Sequence, residues 1–139
     1  MLIRFVFYGL LGWIIEILYT GMDSLLRADW RLPGSTYLWM FPVYGMGVFL
    51  EPLHARIRHL PWIVRGVIWL GVFWTIEYFA GWLLQMFTGT CPWDYSSSPY
   101  AVNGFIRLDM GVQWFVAGLV FERIHDWLDQ IMQRLKKPY

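Results

Sequence analysis

"WIVRGVIWLGVFWTIEYFAGWLLQMF", residues 62–87, carries charge only at Arg65 and Glu77. About 20 mostly apolar residues suffice to cross the hydrocarbon core of a bilayer, and a helix that is apolar on every side belongs inside a protein or a membrane. The chain has 139 residues, 58% of them hydrophobic, 20% aromatic and 15% charged. One small domain cannot hide that much apolar surface, and a typical soluble domain is about 25% charged. The reading is a membrane protein in which residues 62–87 form a span with a carboxylate inside it.

Working outward, residues 2–21 repeat the pattern with Glu16 inside, and 36–53 form a shorter run broken by Pro42, Gly45 and Gly47. A fourth span, 110–127, is apolar at first and then meets Glu122 and Arg123. The tail, 122–139, keeps Phe121, Ile124, Leu128, Ile131 and Leu135 at helical spacing between charges, which reads as an amphipathic continuation. The predicted fold class is an all-α membrane protein: a single domain over 1–139, built as a four-transmembrane-helix bundle. The start "MLIRFVFYGLLGWIIEILYTGMDS" shows no small-x-small cleavage site, so it is expected to be a retained helix.

Four spans place Arg4, Arg56, Arg58, Arg65, Arg123, Arg134, Lys136 and Lys137 on one side and Arg27, Arg31 and Arg107 on the other. The positive-inside rule then puts both termini in the cytoplasm, with the chain in the plasma membrane. The connection "CPWDYSSSPYAVNGFIRLD", residues 91–109, faces outward as a cap. Its prolines forbid a continuous helix, and Trp93 and Tyr95 are aromatics of the interfacial kind. The net charge of +1 does not bear on nucleic acid, but no basic stripe with interleaved aromatics is present to track a phosphate backbone, so no nucleic-acid partner is expected.

At about 1.5 Å per residue, Glu16 and Glu77 both lie roughly 21–23 Å above the inner edge of a core about 30 Å thick. "FPVYGMG" (41–47) and Trp114 fall at a similar level. Carboxylates at that depth are expensive, so they are paired, protonated or functional. The expected ligand-binding set is Glu16, Glu77, Tyr44 and Trp13 with Trp93, Asp94, Tyr95, Asn103 and Arg107 of the cap. In the bland alternative, Tyr44, Trp13 or Trp74 simply satisfies each glutamate and locks the bundle.

These blocks, "GLLGWIIEILY", "FPVYGMG", "EYFAGWLL" and "WDYSSSPYAVNGFIRL", resemble in order the CmpB-type family of small bacterial membrane proteins described as ABC-transporter permeases, which has vertebrate transmembrane relatives. The resemblance runs from about Tyr8 to Gly118. It maps the family signature onto Gly12, Trp13, Glu16, Pro42, Tyr44, Gly45, Gly47, Glu77, Trp93, Asp94, Tyr95, Asn103 and Gly104. It implies a permease-like role, with a separate ATPase or other protein subunit as partner, because no GxxxxGK[ST] loop is present here.

Two Glu-x-x-His pairs, Glu51/His54 and Glu122/His125, imitate a di-iron bundle. The depth count separates them from Glu16 and Glu77 by on the order of 15 Å, and Pro52 interrupts the first pair. No metal and no cofactor are therefore expected. His54, His59 and His125 are assigned to cytoplasmic headgroup contact. No Ser/His/Asp, Cys/His or phosphate-loop constellation is visible, so no catalytic residue is assigned. Four short spans enclose little room, which points to a homo-oligomer or a separate partner in the bilayer. The leading reading is a transporter-like membrane protein for a small cationic or amphipathic ligand. A membrane scaffold or regulatory subunit and an intramembrane lipid-modifying enzyme remain as alternatives.

Overall fold

The computed structural model describes residues 1–136. The chain is mostly helical and divides into two compact units, Met1–Pro52 and Leu53–Tyr139. Lys137 and the end of the tail lie outside the described residues.

The first unit begins with α1 (Leu2–Leu26), longer by about a turn than the sequence suggested. The chain then runs back without regular structure to α2 (Met40–Gly45), a 3-10 stretch (Met46–Leu50) and the start of α3 (Glu51–Ile57). The predicted break in the second segment is therefore present, as a 3-10 stretch between two short helices. Gly45 and Gly47, which have little helix preference, bracket the change, while Pro42 sits in the first turn of α2, where no backbone donor is missed. Pro52 does not interrupt the Glu51/His54 pair, contrary to expectation. It occupies the first turn of α3, where a helix needs no proline N–H.

Glycines set the approach of these elements. A Cβ on Gly12 would sit 2.2 Å from Tyr44 Cγ, and one on Gly9 would sit 2.7 Å from the Phe41 ring. Gly9 and Gly12 are one turn apart on α1, as are Phe41 and Tyr44 on α2, so two rings seat on two bare backbone positions. The return connection is tied to the end of α1 by side chains. Ser24 donates to the Pro33 carbonyl at 2.9 Å, Trp13 to that of Tyr37 at 3.0 Å, and Thr20 accepts from the Ser35 N–H at 2.8 Å.

The second unit takes the rest of α3, then α4 (Trp62–Thr88), a cap, and α5 (Gly111–Lys136). The fourth predicted span and the tail as far as Lys136 lie in one uninterrupted helix starting at Gly111. Trp69 is fully buried, stacked on Phe73 and edge-on to Phe121. Gly118 of α5 makes room for it, since a Cβ there would lie 2.1 Å from that of Trp69; Gly66 of α4 does the same for Phe115.

α1 and α4 are the helices long and apolar enough to cross a membrane among the described residues. Their outer faces present Leu10, Ile14, Leu18, Val67, Phe79 and Leu83 uncovered, as lipid-facing helices do. The interrupted α2–α3 segment and α5, whose charges begin at Glu122, do not meet that criterion alone.

Gly118→Ala should lower the melting temperature, because a methyl group forced against Trp69 costs roughly 1–3 kcal/mol. Gly71→Ala, where a Cβ meets nothing within 4 Å, should not destabilise the fold. Thermal unfolding in detergent, followed by circular dichroism, compares the two, and equal melting temperatures would refute the packing account.

Candidate functional site

In the first unit, α1 aims Glu16 at the second segment. Its Oε2 accepts from the Thr36 hydroxyl at 2.7 Å and the Tyr44 hydroxyl at 2.8 Å. Trp13, a turn earlier, instead donates to the Tyr37 carbonyl and packs on Phe41, with centroids 5.1 Å apart. Tyr44 is thus the partner anticipated for Glu16, and Thr36 was missed.

In the second unit, the cap is built on the C-terminal half of α4. Asn103 and Gly104 both take positive φ, 51° and 76°, and form the turn of a small hairpin between β1 (Ala101–Val102) and β2 (Ile106–Arg107). Ala101 pairs with Arg107 and Val102 with Ile106. An Asn-Gly pair is the preferred turn of a tight hairpin, because both positions need φ above zero. The sequence assigns the cap no strands, so this hairpin is an addition of the structure. Phe105, just past the turn, is buried edge-on against Tyr78 at 5.3 Å, over Gly81.

Side chains then fasten the cap. Trp93 donates to the Phe105 carbonyl at 3.0 Å, and Asn103 to the Tyr78 hydroxyl at 2.7 Å. Tyr95 donates to Glu77 Oε1 at 3.1 Å, and the Arg107 guanidinium lies 5.9 Å from the Tyr95 ring centre while pairing with Asp109. Asp94 is exposed and accepts from the Ser96 N–H at 2.9 Å; hydrogen bonds from Ser96 hold its carboxyl below the usual range. Of the expected set, then, Glu77, Trp93, Tyr95, Asn103 and Arg107 come together around the cap, and Asp94 braces its turn. Glu16, Tyr44 and Trp13 gather in the first unit. Trp74, a proposed partner for a glutamate, has its indole N–H buried without an acceptor among the described residues.

Two further clusters escaped the sequence reading. In the first unit, Glu51 Oε1 accepts from Arg4 Nε at 2.7 Å and from the Tyr8 hydroxyl at 3.0 Å. In the second, Glu122, 5% exposed, accepts from the Trp69 indole at 2.9 Å and faces Arg65 Nε at 3.1 Å. Arg65 also donates to the carbonyls of Arg58 and Leu60, which closes the turn between α3 and α4. His54 and His125 are buried here, at 3% and 8% exposure, so neither is free for the headgroup contact assigned to it. His59 remains exposed.

The two clusters follow one plan, and its signal was present in the sequence. Arg4, Tyr8 and Glu16 recur as Arg65, Trp69 and Glu77, each pair 61 positions apart. Glu51 and His54 recur as Glu122 and His125, each pair 71 positions apart. In both units an arginine and an aromatic donor one helical turn apart grip the glutamate that opens a Glu-x-x-His pair. A third element, Glu16 or Glu77, sits two turns further along the same helix and takes a tyrosine hydroxyl.

A family model described as "Putative ABC-transporter type IV" (ABC_trans_CmpB) matches residues 3–139, and the chain belongs to that family. No solved structure matches it.

Arg65→Ala should destabilise the protein strongly, by about 3 kcal/mol, because it strands a buried carboxylate. Adding Glu122→Gln should restore much of the loss, which a double-mutant cycle on thermal or denaturant unfolding measures. Cys91 tests the cap: burial pushes its thiol above the ordinary value, so alkylation by a maleimide should keep rising with pH where a free thiol has levelled off.

Proposed function

We propose that this member of the ABC-transporter type IV family is a transporter-like, permease-like membrane component for a small cationic or amphipathic ligand. Its four helical segments span the bacterial inner membrane, with both termini in the cytoplasm and the cap outside. Glu16 with Tyr44 and Trp13 in one unit, and Glu77 with Trp93, Asp94, Tyr95, Asn103 and Arg107 in the other, supply the polar groups. The observation that carries this reading is the Tyr95–Glu77 hydrogen bond, 3.1 Å long. It joins a carboxylate inside an apolar helix to the loop that covers it, so an arriving cation competes directly for the same oxygen. An intramembrane carboxylate with a displaceable hydroxyl partner is the arrangement that ion and substrate pathways use.

The repeated plan supports the reading as well. Transporter folds are commonly built from internal repeats whose equivalent elements carry the binding groups. The energy source is a second polypeptide, since no phosphate loop occurs in this sequence. A homo-oligomer or a complex with an ATPase supplies the pathway that a chain this short does not enclose by itself. A scaffold or regulatory role is the second reading, favoured by the hydroxyl and amide donors that the polar groups already find within each unit.

Native mass spectrometry of gently extracted protein separates the two. Under the transporter reading, a bound small molecule or lipid, or a co-purifying ATPase, should be seen, and Glu77→Gln should lose the ligand while keeping the melting temperature within a few degrees. Tyr95→Phe, which removes the hydroxyl that competes for Glu77 Oε1, should hold that ligand at least as tightly. A bare oligomer whose stability, and nothing else, responds to Glu77→Gln would assign the cluster to bundle locking.

A further inference from the structure

At the junction of α3 and α5, four side chains of the second unit converge on a small volume that the transporter reading does not use. His54 comes from α3; Glu122, His125 and Asp126 come from adjacent turns of α5. One ligand atom each from His54, His125 and Asp126 can be chosen so that all three lie within 4.8 Å of one another. The two imidazoles meet edge to face with centroids 5.0 Å apart, and His54 Nε2 lies 3.1 Å from Asp126 Oδ1. His54 Nδ1 is buried and makes no hydrogen bond among the described residues, with Glu122 Oε1 at 3.6 Å. Asp129 stands behind the second ring, 3.4 Å from His125 Nε2.

We propose that His54, His125 and Asp126 bind one divalent transition-metal cation of the zinc class, with Glu122 or a water in the remaining position. Three physical arguments carry this. Charge is the first: Glu122, Asp126 and Asp129 all place a carboxylate oxygen within 3.1–3.6 Å of the histidine nitrogens, a setting that favours a cation. Donor chemistry is the second. Two imidazoles and a carboxylate form a nitrogen-and-oxygen set that suits zinc and its neighbours and disfavours calcium or magnesium, which take oxygen alone. Geometry is the third. A point central to three atoms no more than 4.8 Å apart lies at most about 2.8 Å from each, so shifts of roughly 1 Å reach the 2.0–2.2 Å of a zinc site.

The surroundings fit a ligand shell rather than a set of surface acids. His54 and His125 are both buried, and Asp129 Oδ2 lies 3.4 Å from His125 Nε2, so with Nδ1 as the ligand atom Asp129 orients the ring, the usual support for a metal-bound histidine. The site is distinct from a di-iron bundle. It holds one ion, and Glu51, which that scheme would require, is engaged by Arg4 and Tyr8. Once bound, the ion pins α3 to α5, a junction at which Arg65 already ties the α3–α4 turn to Glu122.

The test uses the full chain in detergent, stripped with a chelator and titrated with cobalt(II). One equivalent per chain should bind with the visible absorption of a low-symmetry four- or five-coordinate centre, and zinc should displace it. His54→Gln and His125→Gln should each weaken binding at least a hundredfold, whereas His59→Gln, at an exposed histidine, should leave it unchanged. Zinc should raise the melting temperature of the unaltered chain and not that of the two variants. Should a histidine variant fail to fold, Asp126→Asn, at the least buried ligand, must by itself weaken binding at least tenfold. Absence of saturable cobalt binding, or binding that is unchanged in folded His54, His125 or Asp126 variants, overturns the proposal.

Discussion

A carboxylate removed from water must be met by donors, and this chain places four glutamates where that rule applies. Glu51 and Glu122 are met by an arginine and an aromatic donor, Glu16 by two hydroxyls, and Glu77 by a hydroxyl from the cap. The distinction matters energetically. A guanidinium supplies the countercharge a buried carboxylate needs, so Glu51 and Glu122 are fixed points of their units. A hydroxyl satisfies a lone pair without itself supplying a countercharge, and that is the contact seen at Glu16 and at Glu77.

Packing supplies what the glutamates need in order to be reached. In lipid there is no hydrophobic force to press helices together, so close approach depends on small residues that let rings settle on backbone. Gly12 under Tyr44 brings the tyrosine hydroxyl to Glu16, one turn along α1. Gly118 under Trp69 brings the indole N–H to Glu122, one turn along α5. In each unit, a glycine next to an aromatic and a glutamate four residues beyond the glycine form one device. The ring is both the packed surface and the donor.

The cap obeys the same economy. Its Asn-Gly turn fixes the hairpin, the hairpin seats Phe105 on Gly81 and Tyr78, and that seating brings Tyr95 over Glu77. The cap is thereby tied to an apolar helix through polar contacts at Glu77 and Tyr78 as well as through the seated ring. Family membership and two long apolar helices agree with a membrane location for this assembly.

Much of this could be read from residues 62–87 outward. Apolar runs, an interrupted second segment, a structured cap and the partnership of Glu16 with Tyr44 all follow from composition, from proline and glycine, and from counting along helices. Those are local properties, and sequence expresses them directly. The hairpin at Asn103–Gly104 and the recurrence of Arg-x3-aromatic-x7-Glu were also written in the sequence, but as signals whose meaning lay in what they would later touch. Tertiary structure alone decided that Glu122 is held by Arg65 and Trp69, and that His54 and His125 turn inward to meet each other rather than outward to headgroups. The physical reason is that burial of a polar side chain depends on the face its helix turns to a neighbour. That face is set by the packing of glycines and rings from segments far apart in the chain.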